Sequence, residues 1–171
     1  QAPVVPKRLR KDNSRDVTQM LTALEAGAFS AEELETQRRE WAGREKQAPV
    51  IGITGTGGAG KSSVTDEILN RLLAGYPDKT IAVLAVDPTR RRTGGALLGD
   101  RIRMNSLRNP NLYMRSMATR RQHLATSAIL QDAIAFLRST GFDLVIVETA
   151  GIGQSDSEIV DMVDFPVYVM T

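Results

Sequence analysis

The stretch Gly55-Thr-Gly-Gly-Ala-Gly-Lys-Ser-Ser63 has the residue types and spacing of a phosphate cradle: Gly55, four residues, Gly60, then Lys61 and Ser62. Gly57, Gly58 and Gly60, with the small Ala59 among them, let the backbone curl so that successive N–H groups point inward at phosphate oxygens. A helix starting near Lys61 adds the positive end of its dipole. Lys61 would neutralise the β- and γ-phosphates, and Ser62 would ligate Mg²⁺ with Ser63 beside it. Gly57, Gly58, Ala59, Gly60, Lys61, Ser62 and Ser63 are therefore the candidate nucleotide contacts. Gly55, Gly57 and Gly60 also spell GxGxxG, the mark of a dinucleotide-binding unit, and Asp87 stands where a ribose-binding acid could sit. This competing reading has no use for Lys61 and Ser62 and does not explain an acid at Glu148.

A Mg-nucleotide site needs hard oxygen ligands at strand ends facing the loop. Asp87 follows IAVLAV, Asp100 lies in the glycine-bearing loop beyond it, and Glu148 ends DLVIVE. An isolated acid is more often a cap, a turn residue or a surface charge. Glu148, however, sits between an apolar strand and a glycine turn, where a buried carboxylate without a cation would be costly. Glu148-Thr-Ala-Gly151 is similar to the DxxG switch element of GTPases with Glu in place of Asp, and it assigns the Gly151 amide to the γ-phosphate. Ile152 stands where many small GTPases carry Gln, and Gln154 comes two residues later as the candidate for orienting the attacking water. The candidate catalytic set is thus Lys61, Asp100, Glu148 and Gln154, and the candidate metal set is Ser62, Asp87, Asp100 and Glu148.

Other residues carry less. The run Arg90, Arg91, Arg92 reads as a solvated loop with a switch role as its alternative, and Met104, Met114 and Met117 read as packing. His123 is the one histidine, which excludes a His-based metal site or triad.

The elements that must position these residues follow from periodicity. Residues 1–15, with a basic cluster at Lys7, Arg8, Arg10 and Lys11, read as a tail. Val17, Met20, Leu21 and Leu24 predict a helix over 16–26, ended by Gly27. Ser30 and Glu33 form a capping box for a second helix running through Leu34 and Trp41 to Gly43. Both helices have few apolar residues, so they are expected to lean on another domain, with Trp41 as the docking residue. From Pro49 the pattern changes. VIGIT (50–54), IAVLAV (81–86), DLVIVE (143–148) and FPVYVMT (165–171) read as strands, with helices predicted over 62–73 and 126–138. This alternation implies an α/β fold of the P-loop NTPase kind: a doubly wound, mostly parallel sheet with flanking helices, preceded by a short helical linker. Residues 1–47 would be tail and linker, and 48–171 the amino-terminal part of the nucleotide-binding domain.

Composition sets the outer bounds. At 171 residues, 42% hydrophobic and 25% charged, the chain suits one ordinary domain plus some excess. Lys and Arg number 22 against 20 acids, and a net charge of +2 is too small to argue for nucleic acid. Without Cys there is no disulfide, thiolate metal site or Cys nucleophile, which suits a cytoplasmic location. No apolar run reaches the roughly 18 residues of a membrane span. A chain that starts at Gln1 and stops at Thr171 inside an apolar strand is expected to be part of something longer.

GITGTGGAGKSS, AVDPTRRRTGGALLGDRIRMN and FDLVIVETAGIGQSD together resemble the accessory GTPases of adenosylcobalamin-dependent acyl-CoA mutases, the family of the methylmalonyl-CoA mutase chaperone. GGALLGDRIRM and YMRSMATR are most similar to the GTPase module of fused isobutyryl-CoA mutases. The resemblance covers 49–171. It implies GTP/GDP and Mg²⁺ as ligands, with Lys61 on phosphate, Ser62 on Mg²⁺, and Asp87, Asp100 and Glu148 as acids of the metal and switch site. It further implies a GTPase that gates cofactor loading and protects the mutase. Adenosylcobalamin and the acyl-CoA would be bound by a cobalamin domain and a substrate barrel, in the same homodimeric polypeptide, which would then also be an isomerase. Guanine specificity in such proteins rests on an NKxD motif that this sequence does not contain. A nucleotide-stabilised interaction module with negligible turnover is the alternative from another class, and a nucleotide kinase or nickel-insertion GTPase is a third.

Overall fold

Three apolar runs of the sequence build the centre of a sheet, the fourth forms one edge, and a fifth strand forms the other. The structure, a computed structural model, describes residues 11–55, 61–87, 109–118, 123–149 and 159–170. Helices α1 (Lys11–Glu25) and α2 (Ala31–Ala42) precede β1 (Val50–Gly55), α3 (Lys61–Gly75) and β2 (Ile81–Asp87). Then come β3 (Leu112–Ala118), α4 (His123–Ser139), β4 (Leu144–Thr149) and β5 (Phe165–Val169). All pairings are parallel, in the order β3-β2-β4-β1-β5. The expected α/β architecture is what the chain adopts. Among the described residues no helix is long and apolar enough to cross a membrane.

The central strands are apolar on both faces because each face is covered. Ala82, Leu84, Val86, Val145 and Val147 join one core with α1, α2 and α4. The alternate positions Ile81, Val83 and Ile146 join a second core with Leu69 and Leu73 of α3. Period-two alternation thus assigns α3 one side of the sheet and α1, α2 and α4 the other.

β3 is the strand that sequence reading did not anticipate. In LYMRSMA, Arg115 and Ser116 interrupt the apolar pattern, as an edge strand permits. Arg115 instead reaches α1, where its Nε and Nη2 donate to Glu25 Oε1 at 3.2 and 2.7 Å. The hydroxyls of Tyr113 and Thr18 meet at 2.8 Å, and burial raises the Tyr113 pKa, which keeps that group neutral. Met114 and Met117 pack into the cores, as read.

The two opening helices correct an expectation. Within this chain they pack on the sheet itself: Val17, Leu21, Leu24 and Trp41 belong to the same core as the sheet. Trp41 is 1% exposed, with its ring centroid 5.7 Å from that of Phe136 on α4. Arg38 adds a two-point tie, its Nε and Nη2 donating to Asp132 Oδ1 and Oδ2 at 2.7 and 2.9 Å. The Ser30 capping box forms as read, each partner accepting at 3.1 Å. The helices are poor in apolar residues because a narrow stripe suffices when a sheet and a helix receive it.

Two acids pin the amino ends of the strands. Asp164 Oδ2 accepts from the Val50 N–H and from Arg138, both at 2.9 Å. Asp143 accepts from the Thr80 N–H and from Lys46 Nζ. Burial pushes the Asp143 carboxyl up, but these hydrogen bonds outweigh it and hold its pKa below the ordinary value. Its contribution to stability is therefore present at neutral pH and is lost only as pH falls through that lowered value.

Candidate functional site

β1 ends at Gly55 and α3 begins at Lys61, so the phosphate-loop pattern lies between a buried parallel strand and a helix start. Gly55 closes β1 with φ of +147°, and a Cβ there would stand 2.2 Å from the Val169 carbonyl oxygen on β5. This glycine is thus required by the sheet as well as by the loop, a reason not visible in the sequence. Gly55→Ala should cost about 2–4 kcal/mol from backbone strain and overpacking together. With about 2–4 °C lost per kcal/mol in a chain of this size, thermal unfolding should fall by roughly 5–15 °C. An unchanged Tm would refute the close approach.

The strand order separates the two nucleotide readings. A dinucleotide-binding unit pairs its first strand directly with its second. Here β4 stands between β1 and β2, with Ile53 opposite Glu148 on one side and Ala85 opposite Glu148 on the other. The competing reading of GxGxxG therefore fails. The strand that ends in Glu148 is the immediate neighbour of the strand that enters the phosphate loop.

Two acids are buried among the described residues, Asp132 and Glu148. Asp132 is held by Arg38, far along the chain from the loop. Glu148 is 4% exposed, at the carboxyl edge of β4, and follows Ile146 on the face that α3 covers. Position 87 ends β2 two residues beyond Ala85, the partner of Glu148, so positions 87 and 148 lie diagonally on adjacent strands. Lys61 and Ser62 open α3, and Ser63 is exposed in its first turn.

Gly57, Gly58, Ala59, Gly60, Asp100, Gly151 and Gln154 lie outside the described residues, as do Arg90–Arg92 and Met104. So do the side chains of Lys61, Ser62, Asp87 and His123. Among the described residues no cluster of three or more acids or histidines forms, since of the proposed metal ligands only the Glu148 side chain is among them. The donor types of the candidate set nonetheless fit Mg²⁺: a buried carboxylate, two further acids and a hydroxyl would supply hard oxygens, with no imidazole or thiolate.

Sequence reading passed over two residues beside this edge. Thr149 Oγ1 donates to Thr54 Oγ1 at 3.2 Å, and both residues are 2% exposed. A Thr directly before the first loop glycine and another directly after Glu148 were the available signal.

A family model described as methylmalonyl-CoA mutase-associated GTPase MeaB matches residues 15–171. A fused isobutyryl-CoA mutase of Cupriavidus metallidurans is 48% identical over 171 residues, 99% of this chain and 16% of that protein. The fused isobutyryl-CoA mutase of Geobacillus kaustophilus is 59% identical over 127 residues, 74% of this chain and 12% of that protein. The chain thus spans less than a fifth of the length of these relatives. The crystal structure of an LAO/AO transport system kinase superposes with a TM-score of 0.53 at 22% identity, over 94% of this chain and 51% of that one, a likeness of fold alone. With the family match running from the opening helices through the last strand, the chain belongs to the MeaB family of methylmalonyl-CoA mutase-associated GTPases.

Proposed function

We propose that the chain is the phosphate-binding part of a Mg²⁺-dependent GTPase that serves an adenosylcobalamin-dependent acyl-CoA mutase of the isobutyryl-CoA type, gating cofactor loading and protecting the mutase. The observation that carries this is the register that sets buried Glu148 beside the strand entering the phosphate loop. Family membership and the fused relatives support the mutase as partner, in the same polypeptide; a cytoplasmic homodimer is the setting that goes with this reading.

In this reading the amides of Gly57, Gly58, Ala59 and Gly60 cradle the phosphates, with Ser63 beside them, and Lys61 offsets the charge that develops on the β–γ bridge. Ser62, Asp87, Asp100 and Glu148 would hold Mg²⁺, which supplies charge neutralisation between the phosphates when bound. Gly151 donates its amide to the γ-phosphate, and Gln154 orients the water. With Ile152 after Gly151, either Gln154 reaches the water by a different loop path or hydrolysis depends on a partner, so intrinsic hydrolysis should be slow and stimulated by the mutase.

Lys61→Ala tests this in the full polypeptide with mutase and cobalamin present. Phosphate release should fall by about 10²–10³, the effect of losing one transition-state charge contact. If parent and variant release phosphate equally slowly while the parent still binds GTP, the enzymatic reading fails and a nucleotide-stabilised interaction module stands in its place.

A further inference from the structure

We infer that Thr54 and Thr149 are positioning residues for hydrolysis, a buried hydroxyl bridge that holds together the ends of β1 and β4, the strands that lead into the phosphate-loop and Glu148-Thr-Ala-Gly151 motifs. The inference rests on the GTPase reading above and adds to it the element that aligns its two loops.

The sheet's ladders stop at different heights. Pairing between β2 and β4 continues to Val86 opposite Thr149, and pairing between β1 and β5 continues to Gly55 opposite Val169. Between β1 and β4 it ends at Ile53 opposite Glu148. One step further, the two strands are joined by the side chains instead, Thr149 Oγ1 donating to Thr54 Oγ1 at 3.2 Å. That step is at the carboxyl ends of both strands: Thr54 precedes Gly55, the last residue of β1, and Thr149 is the last residue of β4.

The bridge lies behind the site rather than in it. Alternation along β1 and β4 puts Thr54 with Val50, and Thr149 with Val145 and Val147, on the face that α4 covers. Glu148 is on the opposite face with Ile146. The two hydroxyls therefore act through the backbone positions of their neighbours. Both residues are 2% exposed; at 3.2 Å the contact is longer than the usual hydroxyl pair, but in such surroundings it is electrostatically stronger than the same bond in water. Displacing one loop from the other by about 1 Å is enough to cost a reaction about 10²-fold, so a modest slackening should register in turnover.

Thr54→Val and Thr149→Val, singly and together, and Thr149→Ser provide the test in the full polypeptide. Valine keeps the branched shape and strand preference while deleting the hydroxyl. Each single variant should lower kcat for GTP about tenfold with GDP affinity within about twofold of the parent, a loss confined to the aligned transition state. The double variant should be no slower than either single one, because both delete the same bond, and Thr149→Ser should retain parental kcat. Unchanged kcat in the single variants, losses that multiply in the double variant, or GDP affinity that falls along with kcat would each overturn the bridge. These outcomes are read against Lys61→Ala: a Lys61-dependent parent with indifferent Thr variants refutes the bridge alone. A parent indifferent to Lys61→Ala refutes the GTPase reading and the bridge with it.

Discussion

Glu148→Gln should lower steady-state phosphate release by about 10²–10³ while leaving the fold intact. Glutamine has the shape of glutamate and can hydrogen-bond in its place, so the variant removes little besides charge. Glu148 is 4% exposed, and a charge at that depth interacts strongly with any cation beside it. If the side chain helps to hold Mg²⁺, the Mg²⁺ concentration required for half-maximal turnover should rise at the same time. Normal turnover with an unshifted Mg²⁺ requirement would remove Glu148 from the site and leave it a buried structural acid. The position matters as much as the charge: β4 is the neighbour of β1, and Glu148 is level with Ile53, two residues before Gly55.

Trp41→Ala should destabilise the protein by about 3–5 kcal/mol, the usual cost of deleting a large buried aromatic side chain. At about 2–4 °C per kcal/mol, the melting temperature should drop by roughly 6–20 °C. Trp41 is 1% exposed, its ring is tilted at 56° to that of Phe136, and it anchors α2 to the helix that leads into β4. Among the described residues its indole N–H meets no acceptor, so Trp41→Phe forfeits area but no hydrogen bond. That milder variant leaves a smaller cavity and should cost roughly half as much or less, about 1–2 kcal/mol. Equal Tm for Trp41→Ala and the parent would show that α1 and α2 are held loosely, in line with a linker that docks elsewhere.

Local chemistry was legible in the sequence because it is written in neighbouring residues. The strand–loop–helix frame of Gly55 to Ser62 is such a case, as are the capping box of Ser30 and Glu33 and the apolar runs at 50, 81 and 144. The same proximity marked Glu148 as an acid at a strand end. What needed tertiary structure was adjacency between segments far apart in the chain. GxGxxG and GxxxxGK overlap in one string; Lys61 and Ser62 weighed against the first, and the placement of β4 between β1 and β2 excludes it. Trp41 looked unpartnered because its partner Phe136 lies 95 positions away and belongs to a helix identified by its own periodicity. β3 escaped because Arg115 and Ser116 break its pattern, and their tolerance depends on an edge position and on Glu25 of α1. The Thr54–Thr149 pair shows the same division: each residue by itself is an ordinary strand threonine, and the register of two parallel strands makes them one bond.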